Sequence, residues 1–210
     1  MNANIPEVIC RFIVLVVGFT IHEFAHAWTA DQYGDDTPRL YGRLTLNPLA
    51  HIDLIGALML MVAGFGWAKP VIVDNYKLSR RSRMAPMVVA LAGPLSNLML
   101  ALVAAFPLKL GFFQQSFSSG ILPTVYELFL YLVFYNIVLA IFNMLPIFPL
   151  DGEKVLVYFL PPSSQNFMLR LRRYSVGPLL LVLFILPMLG IPIVEWLVFH
   201  PSIFLTRLIT

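Results

Sequence analysis

The stretch IHEFAHAWTAD, residues 21–31, places His22 and His26 four positions apart with Glu23 between them. On a helix that spacing amounts to about 40° of rotation, so both imidazoles project from one face toward a common point. Glu23 lies beside that face, near enough to act on something the histidines hold without being a ligand itself. This is the HExxH arrangement of zinc hydrolases, in which two imidazoles bind the metal and the carboxylate is the general base. Two histidines do not complete a catalytic zinc site, which takes three protein ligands and keeps one open position.

The candidates for the third ligand are Asp31, Asp35, Asp36, His51, Asp53, Asp74, Glu127, Asp151, Glu153, Glu195 and His200. Asp151 stands out because NMLPIFPLDG ends an apolar segment with two prolines that stop a helix and a glycine that permits a sharp turn. An aspartate placed there has a fixed depth and a side chain free to turn inward. His51 is the alternative, about 25 residues beyond the histidine pair and able to fold back on it.

The element that carries the motif is an apolar run over residues 8–30, long enough to cross a bilayer. An ionisable side chain at mid-membrane costs about 2.5–3.5 kcal/mol on insertion scales. Polar residues paired to hold a helix bundle could offset that cost. A Zn²⁺ ion does so more directly, because its field balances Glu23 and its coordination uses both imidazoles.

The rest of the chain has the same character. Of its 210 residues 59% are hydrophobic and 12% charged, against roughly 25% charged in a soluble domain, and the mean hydropathy is +0.82. Apolar segments cover 8–30, 54–73, 84–108, 125–148 and 176–199, with a short apolar tail to Thr210. The expected fold is therefore an all-α polytopic membrane protein of about five to six transmembrane or re-entrant segments. It forms a single membrane-embedded domain, 1–210, with a core over 8–152 and C-terminal helices over 176–210. The first segment lacks the short apolar region and cleavage site of a removable signal, so it is retained. A single cysteine, Cys10, excludes an internal disulfide and a multi-cysteine metal site.

Between the first two segments, Leu40, Gly42, Leu44 and Leu46 alternate with Tyr41, Arg43 and Thr45. That period of two predicts a short membrane-associated β strand or hairpin arm, able to pair with an unwound substrate by strand addition. Pro187, Gly190 and Pro192 predict a break in the last segment.

A net charge of +3, with its basic residues beside apolar segments, suits the positive-inside rule rather than nucleic-acid binding. The blocks at 77–83 and at Lys154, Arg170, Arg172 and Arg173 should be cytoplasmic. Residues 1–7 have no Lys or Arg, so the N-terminus should be outside.

Three separated motifs, HEFAH in the first segment, AGPLSN at 92–97 and NMLPIFPLDG at 143–152, resemble those of the site-2 protease family of intramembrane zinc metalloproteases. GRLTLNPLAHIDLIG further resembles the small bacterial branch that carries neither a PDZ nor a CBS domain. The resemblance covers about two thirds of the chain and fades in the C-terminal third. It implies that His22, His26 and Asp151 bind zinc, that Glu23 is the general base, and that Asn97 is a polar group near the scissile peptide. The implied substrates are membrane-anchored proteins or peptides, such as transcriptional regulators, anti-sigma factors or remnant signal peptides, reached within the lipid bilayer.

A shared ion requires the histidines and Asp151 to lie at one depth. Both sit at the C-terminal ends of their segments, so those segments run in the same direction and an odd number of complete crossings separates them. Residues 54–73, interrupted by AGFGWAKP, are the ones expected to be re-entrant. The active site then lies within the bilayer toward the cytoplasmic side. A zinc transporter, a zinc hydrolase acting on prenylated proteins or lipids, and a scaffold with a degenerate site are the rival readings. No internal repeat of the kind transporters carry is visible.

Overall fold

The computed structural model describes residues 5–63, 66–174 and 177–210. Helix α1 spans Ile5–Gln32 and α2 spans Leu54–Ala63. Helix α3 covers Asn75–Arg81, α4 Ala85–Lys109 and α5 Val125–Asn143. Beyond them lie α6, Asp151–Phe159, α7, Pro162–Leu171, and α8, His200–Ile209.

Helices α1, α4 and α5 are long and apolar enough to cross a membrane, and a bent pair at Pro162–Tyr174 and Gly177–Met188 would make a fourth. These three form the frame of the site. Ala30 near the end of α1 packs with Ala85 and Val89 near the start of α4, so those two helices are antiparallel. Gly18 meets Asn136 and Leu139 of α5, and farther along α1 His26 meets Asp151 just beyond α5. Helices α1 and α5 are therefore parallel, with α4 returning between them.

Small residues make this close packing possible. Ala101, Ala104 and Ala105 of α4 lie buried against Val133 and Ile137 of α5, the small-residue contact that brings helices together in lipid, where apolar surface alone gives no drive to associate. The opposite side of α4 exposes Leu95, Met99, Leu102, Val103 and Phe106. An apolar surface of that kind suits hydrocarbon rather than water.

In the segment expected to be re-entrant, no described helix is long enough to cross. Helix α2 has 10 residues, about 15 Å of rise and half of what hydrocarbon requires. Ile52 and Ala68 on either side of it form an antiparallel bridge, and the Lys69 N–H donates to the His51 carbonyl at 2.8 Å. Its two ends thus lie side by side. Of the interrupting AGFGWAKP, Gly64 and Phe65 lie outside the described residues.

The β strand or hairpin expected over residues 40–47 is corrected: no strand occurs among the described residues. Thr37–Leu40 is a helical turn, and Gly42 at φ +66° reverses the chain after it. Arg43, on the polar side of the alternation, is the buried residue, and its guanidinium donates to the carbonyls of Ala50 and Lys69. Leu40 and Leu46 are exposed. Alternation predicts a strand when one face is dry and the other wet; beside a bilayer an exposed leucine carries no penalty, so the pattern loses that meaning.

The last segment breaks where its prolines and glycine predict. A helical run ends at Met188, Gly190 takes φ +79°, and helix resumes toward α8. Leu179 and Val198 from its two arms pack with Leu145 and Leu150. Val176, the expected start of that segment, lies outside the described residues.

Candidate metal centre

His22 and His26 lie one turn apart on α1, both buried, with ring centroids 4.6 Å apart and planes at 85°. Their Nε2 atoms approach to 3.0 Å. Asp151 Oδ2 lies 3.2 Å from His22 Nε2 and 3.0 Å from His26 Nε2. Three ligand-type atoms, two from residues four positions apart and one from 125 positions farther on, thus form a nearly equilateral triangle.

The far side of each imidazole is already engaged. His26 Nδ1 is 2.6 Å from the Val89 carbonyl oxygen, which can only accept, so Nδ1 carries a proton and, in the neutral ring that binds a metal, Nε2 is the lone pair. His22 Nδ1 is 2.6 Å from Asn97 Oδ1. Two imidazole lone pairs and a carboxylate oxygen therefore face one another with no proton of their own between them. Three converging acceptors repel unless a cation sits among them, and two imidazoles with a carboxylate are a donor set that zinc takes, one position remaining open. Tetrahedral zinc at 2.0–2.1 Å sets its ligands about 3.3 Å apart, close to the triangle seen here.

Glycines make room for this cluster. A Cβ on Gly93 of α4 would lie 2.6 Å from His22 Nε2 and closer still to His26 Nε2. Gly152 is needed for a different reason from the expected sharp turn. It is the second residue of α6, and a Cβ there would lie 2.6 Å from the Leu145 carbonyl and closer to that of Met144. The glycine lets α6 start against the end of α5, and this holds Asp151 at the depth of the histidines. Lys154 Nζ, 3.1 Å from Asp151 Oδ1, engages the second carboxylate oxygen.

Glu23 stands beside the triangle and outside it. Its Oε2 accepts the backbone N–H of Val71 at 2.8 Å. Val71 belongs to an extended strap over residues 66–74, tied at one end by the Ile52–Ala68 bridge and at the other by the Asp74 N–H, which donates to Asp35 Oδ2 at 2.7 Å. Asn97 is fully buried on the opposite side of His22 from the triangle, and its Nδ2 donates to the Gly18 carbonyl at 3.1 Å.

The other candidate ligands are occupied elsewhere. His51 is fully buried, bonded through Nε2 to the Thr45 carbonyl at 2.8 Å, and does not join the cluster. Asp31 pairs with Arg39, and Asp36 with Lys77, whose ammonium holds the Asp36 carboxyl below its usual range. Asp35 accepts the N–H groups of Thr37 and Asp74, Asp53 that of Gly56, and Asp74 caps α3. Glu127 closes a capping box with Thr124, Glu153 binds Arg172, and Glu195 faces His200. The Val71 amide and the Val89 carbonyl escaped the sequence reading because main-chain groups leave no residue-type signal.

Buried apolar helices that hold an HExxH pair against a distant aspartate define a zinc metalloprotease of the membrane. The family model described as peptidase family M50 matches residues 121–185. YwhC of Bacillus subtilis, named as a zinc metalloprotease, is 41% identical over 181 residues, covering 84% of this chain and 80% of that protein. Rip2 of Mycobacterium tuberculosis, similarly named, is 31% identical over 199 residues, covering 89% and 73%. MJ0611 of Methanocaldococcus jannaschii, also named as a zinc metalloprotease, is 32% identical over 160 residues, covering 74% and 73%. No solved structure matches. The chain belongs to peptidase family M50, the site-2 protease family, and is a multi-pass membrane zinc metalloprotease.

Proposed function

We propose that the protein cleaves peptide bonds in or near the transmembrane segments of membrane-anchored substrates, using a zinc ion held by His22, His26 and Asp151 with Glu23 as general base. The convergence of both Nε2 atoms and Asp151 Oδ2, with both Nδ1 atoms engaged behind them, is the observation that carries this reading.

Zinc, when bound, supplies a Lewis acid and brings the pKa of its water to about 7. The remaining steps fall to this chain's residues. Glu23, with Oε2 on the Val71 amide, takes a proton from the attacking water and returns it to the leaving amine. Asn97 orients His22 and is a positioning residue rather than a contact to the scissile peptide. A transmembrane helix has its peptide groups closed by internal hydrogen bonds, so the substrate must unwind before its carbonyl can reach the site.

The site faces the cytoplasmic side and the N-terminus lies outside. Leu78 of α3, in the same block as Lys77, Arg80 and Arg81, packs against Ala30 near the end of α1, and Lys154 touches Asp151, so these basic residues lie toward the end of α1 that carries the triangle. Cleavage of membrane-anchored regulators in regulated intramembrane proteolysis is the biological setting this geometry fits.

The test is Glu23→Gln in purified, detergent-solubilised protein, with zinc per chain and cleavage of a transmembrane peptide both measured. Zinc retained with cleavage lost supports the assignment. A wild type that binds zinc and cuts no membrane peptide would instead point to a zinc-binding or transport protein.

A further inference from the structure

Asn136, on α5, is fully buried and has no part in the ligand, base or capping roles above. Its Nδ2 donates to the Leu132 carbonyl at 2.8 Å, and its Oδ1 accepts from Asn97 Nδ2 at 2.7 Å. Asn97 Nδ2 gives its other proton to the Gly18 carbonyl. The Leu132 and Gly18 oxygens can only accept, so they decide which way round each amide lies. With both its N–H groups spent, Asn97 meets His22 Nδ1 with its oxygen, at 2.6 Å. His22 Nδ1 then carries the proton, and Nε2 faces the triangle as a lone pair.

We propose that Asn136 is a positioning residue for metal binding: acting through Asn97, it holds His22 in the tautomer that can take the ion. This rests on the ligand assignment of the proposed function. The two histidines are secured differently. His26 leans on the main-chain carbonyl of Val89, which cannot turn round, whereas His22 leans on a side-chain amide, which can. Without Asn136, Asn97 keeps one acceptor. The Gly18 carbonyl, whose bond at 3.1 Å is the longer of the two, then opposes alone the half turn of the amide that would offer an N–H to His22 Nδ1 and put the imidazole proton on Nε2, in the triangle. Gly18 serves the same arrangement, since a Cβ there would lie 2.9 Å from Leu139 Cδ1 and 3.0 Å from Asn136 Oδ1. Its absence lets α5 approach until the two asparagines meet.

The experiment uses the full chain in detergent, stripped of zinc and then titrated against a chromophoric chelator, for wild type, Asn136→Leu and Asn136→Asp. The thermal midpoint of each zinc-free protein is measured alongside. Asn136→Leu keeps the volume and removes the acceptor, so its zinc Kd should weaken about 10–100-fold, the usual effect of losing a group behind a ligand. Asn136→Asp, neutral when buried, offers Asn97 the same carbonyl and Leu132 an O–H, and should bind zinc near the wild-type level. Leu-variant binding equal to wild type would overturn the proposal. So would an equal loss in both variants that tracks their thermal midpoints, because a merely structural role is not rescued by aspartate. If Asn136→Leu does not accumulate, Asn136→Ala removes the same acceptor and is read the same way. Cleavage plays no part in the measurement, so an inactive protein that binds zinc leaves the result intact. A wild type that binds no zinc removes the ligand assignment and this inference with it.

Discussion

Val71 donates its backbone N–H to Glu23 Oε2 at 2.8 Å, although 48 residues separate them and neither side chain of the strap's neighbours is needed for the contact. The carboxylate is thereby held at one oxygen. Proline at position 71 removes that N–H, and alanine retains it. Val71→Pro should lower kcat about 10–100-fold, less than the roughly 10²–10⁴-fold that general acid–base catalysis contributes in full because Glu23 itself remains, with zinc content unchanged. Val71→Ala should stay near wild type. A peptide-cleavage assay paired with metal analysis checks both, and a Val71→Pro enzyme of full activity would show that Glu23 needs no such support.

Gly93 tests the metal centre from the side of α4. A methyl group there would overlap the Nε2 atoms of both histidines. Gly93→Ala should therefore cost zinc affinity at least about tenfold, because well-packed sites resist added volume and displaced ligands bind poorly. The zinc-free protein should fold, since the imidazoles can swing into the space where the ion would lie. Metal titration of the purified variant decides the matter.

The third ligand is tested by comparing Asp151→Ala with His51→Ala. Zinc should be lost from the first and retained by the second, because His51 is bonded to the Thr45 carbonyl and does not reach the triangle. His51→Ala should still unfold at lower temperature, as it removes a buried side chain and leaves that carbonyl without its partner.

Glu153, two residues after Asp151, is 1% exposed and receives Arg172 through both oxygens, at 2.9 and 2.7 Å. Arg172→Ala strands this carboxylate, and breaking a buried pair costs 3–5 kcal/mol. Arg172 is partly solvated, so a loss near the lower end, about 3 kcal/mol, is expected. Replacing both partners, Glu153→Gln with Arg172→Met, should recover much of it. Thermal unfolding of the three proteins in detergent provides the comparison.

Much of the site was legible because its chemistry resides in side chains of rare type. In a chain with four histidines, a pair at helical spacing is a strong signal, and the prolines before Asp151 mark where a helix must stop. The parallel course of α1 and α5 followed from depth alone, and α2 is too short to span by itself. The strand over 40–47 misled because lipid removes the contrast between a wet and a dry face. Asn97 was visible as a residue but not as a role, since only the three-dimensional arrangement shows that it stands behind His22. Gly93 and Gly152 were similarly visible within their motifs, while what each excludes depends on atoms from another helix.

The distance in sequence between His26 and Asp151, 125 residues, bears on how the protein is made. At about 5–20 residues per second, the ribosome needs roughly 6–25 s to synthesise that interval. Throughout it the histidine pair has been synthesised and Asp151 has not. A chain arrested before Asp151 carries the HExxH helix without the carboxylate that completes the His22, His26 and Asp151 triangle. The triangle can form only once α5 and the turn after it have been made, so the order of synthesis sets when the candidate site is assembled.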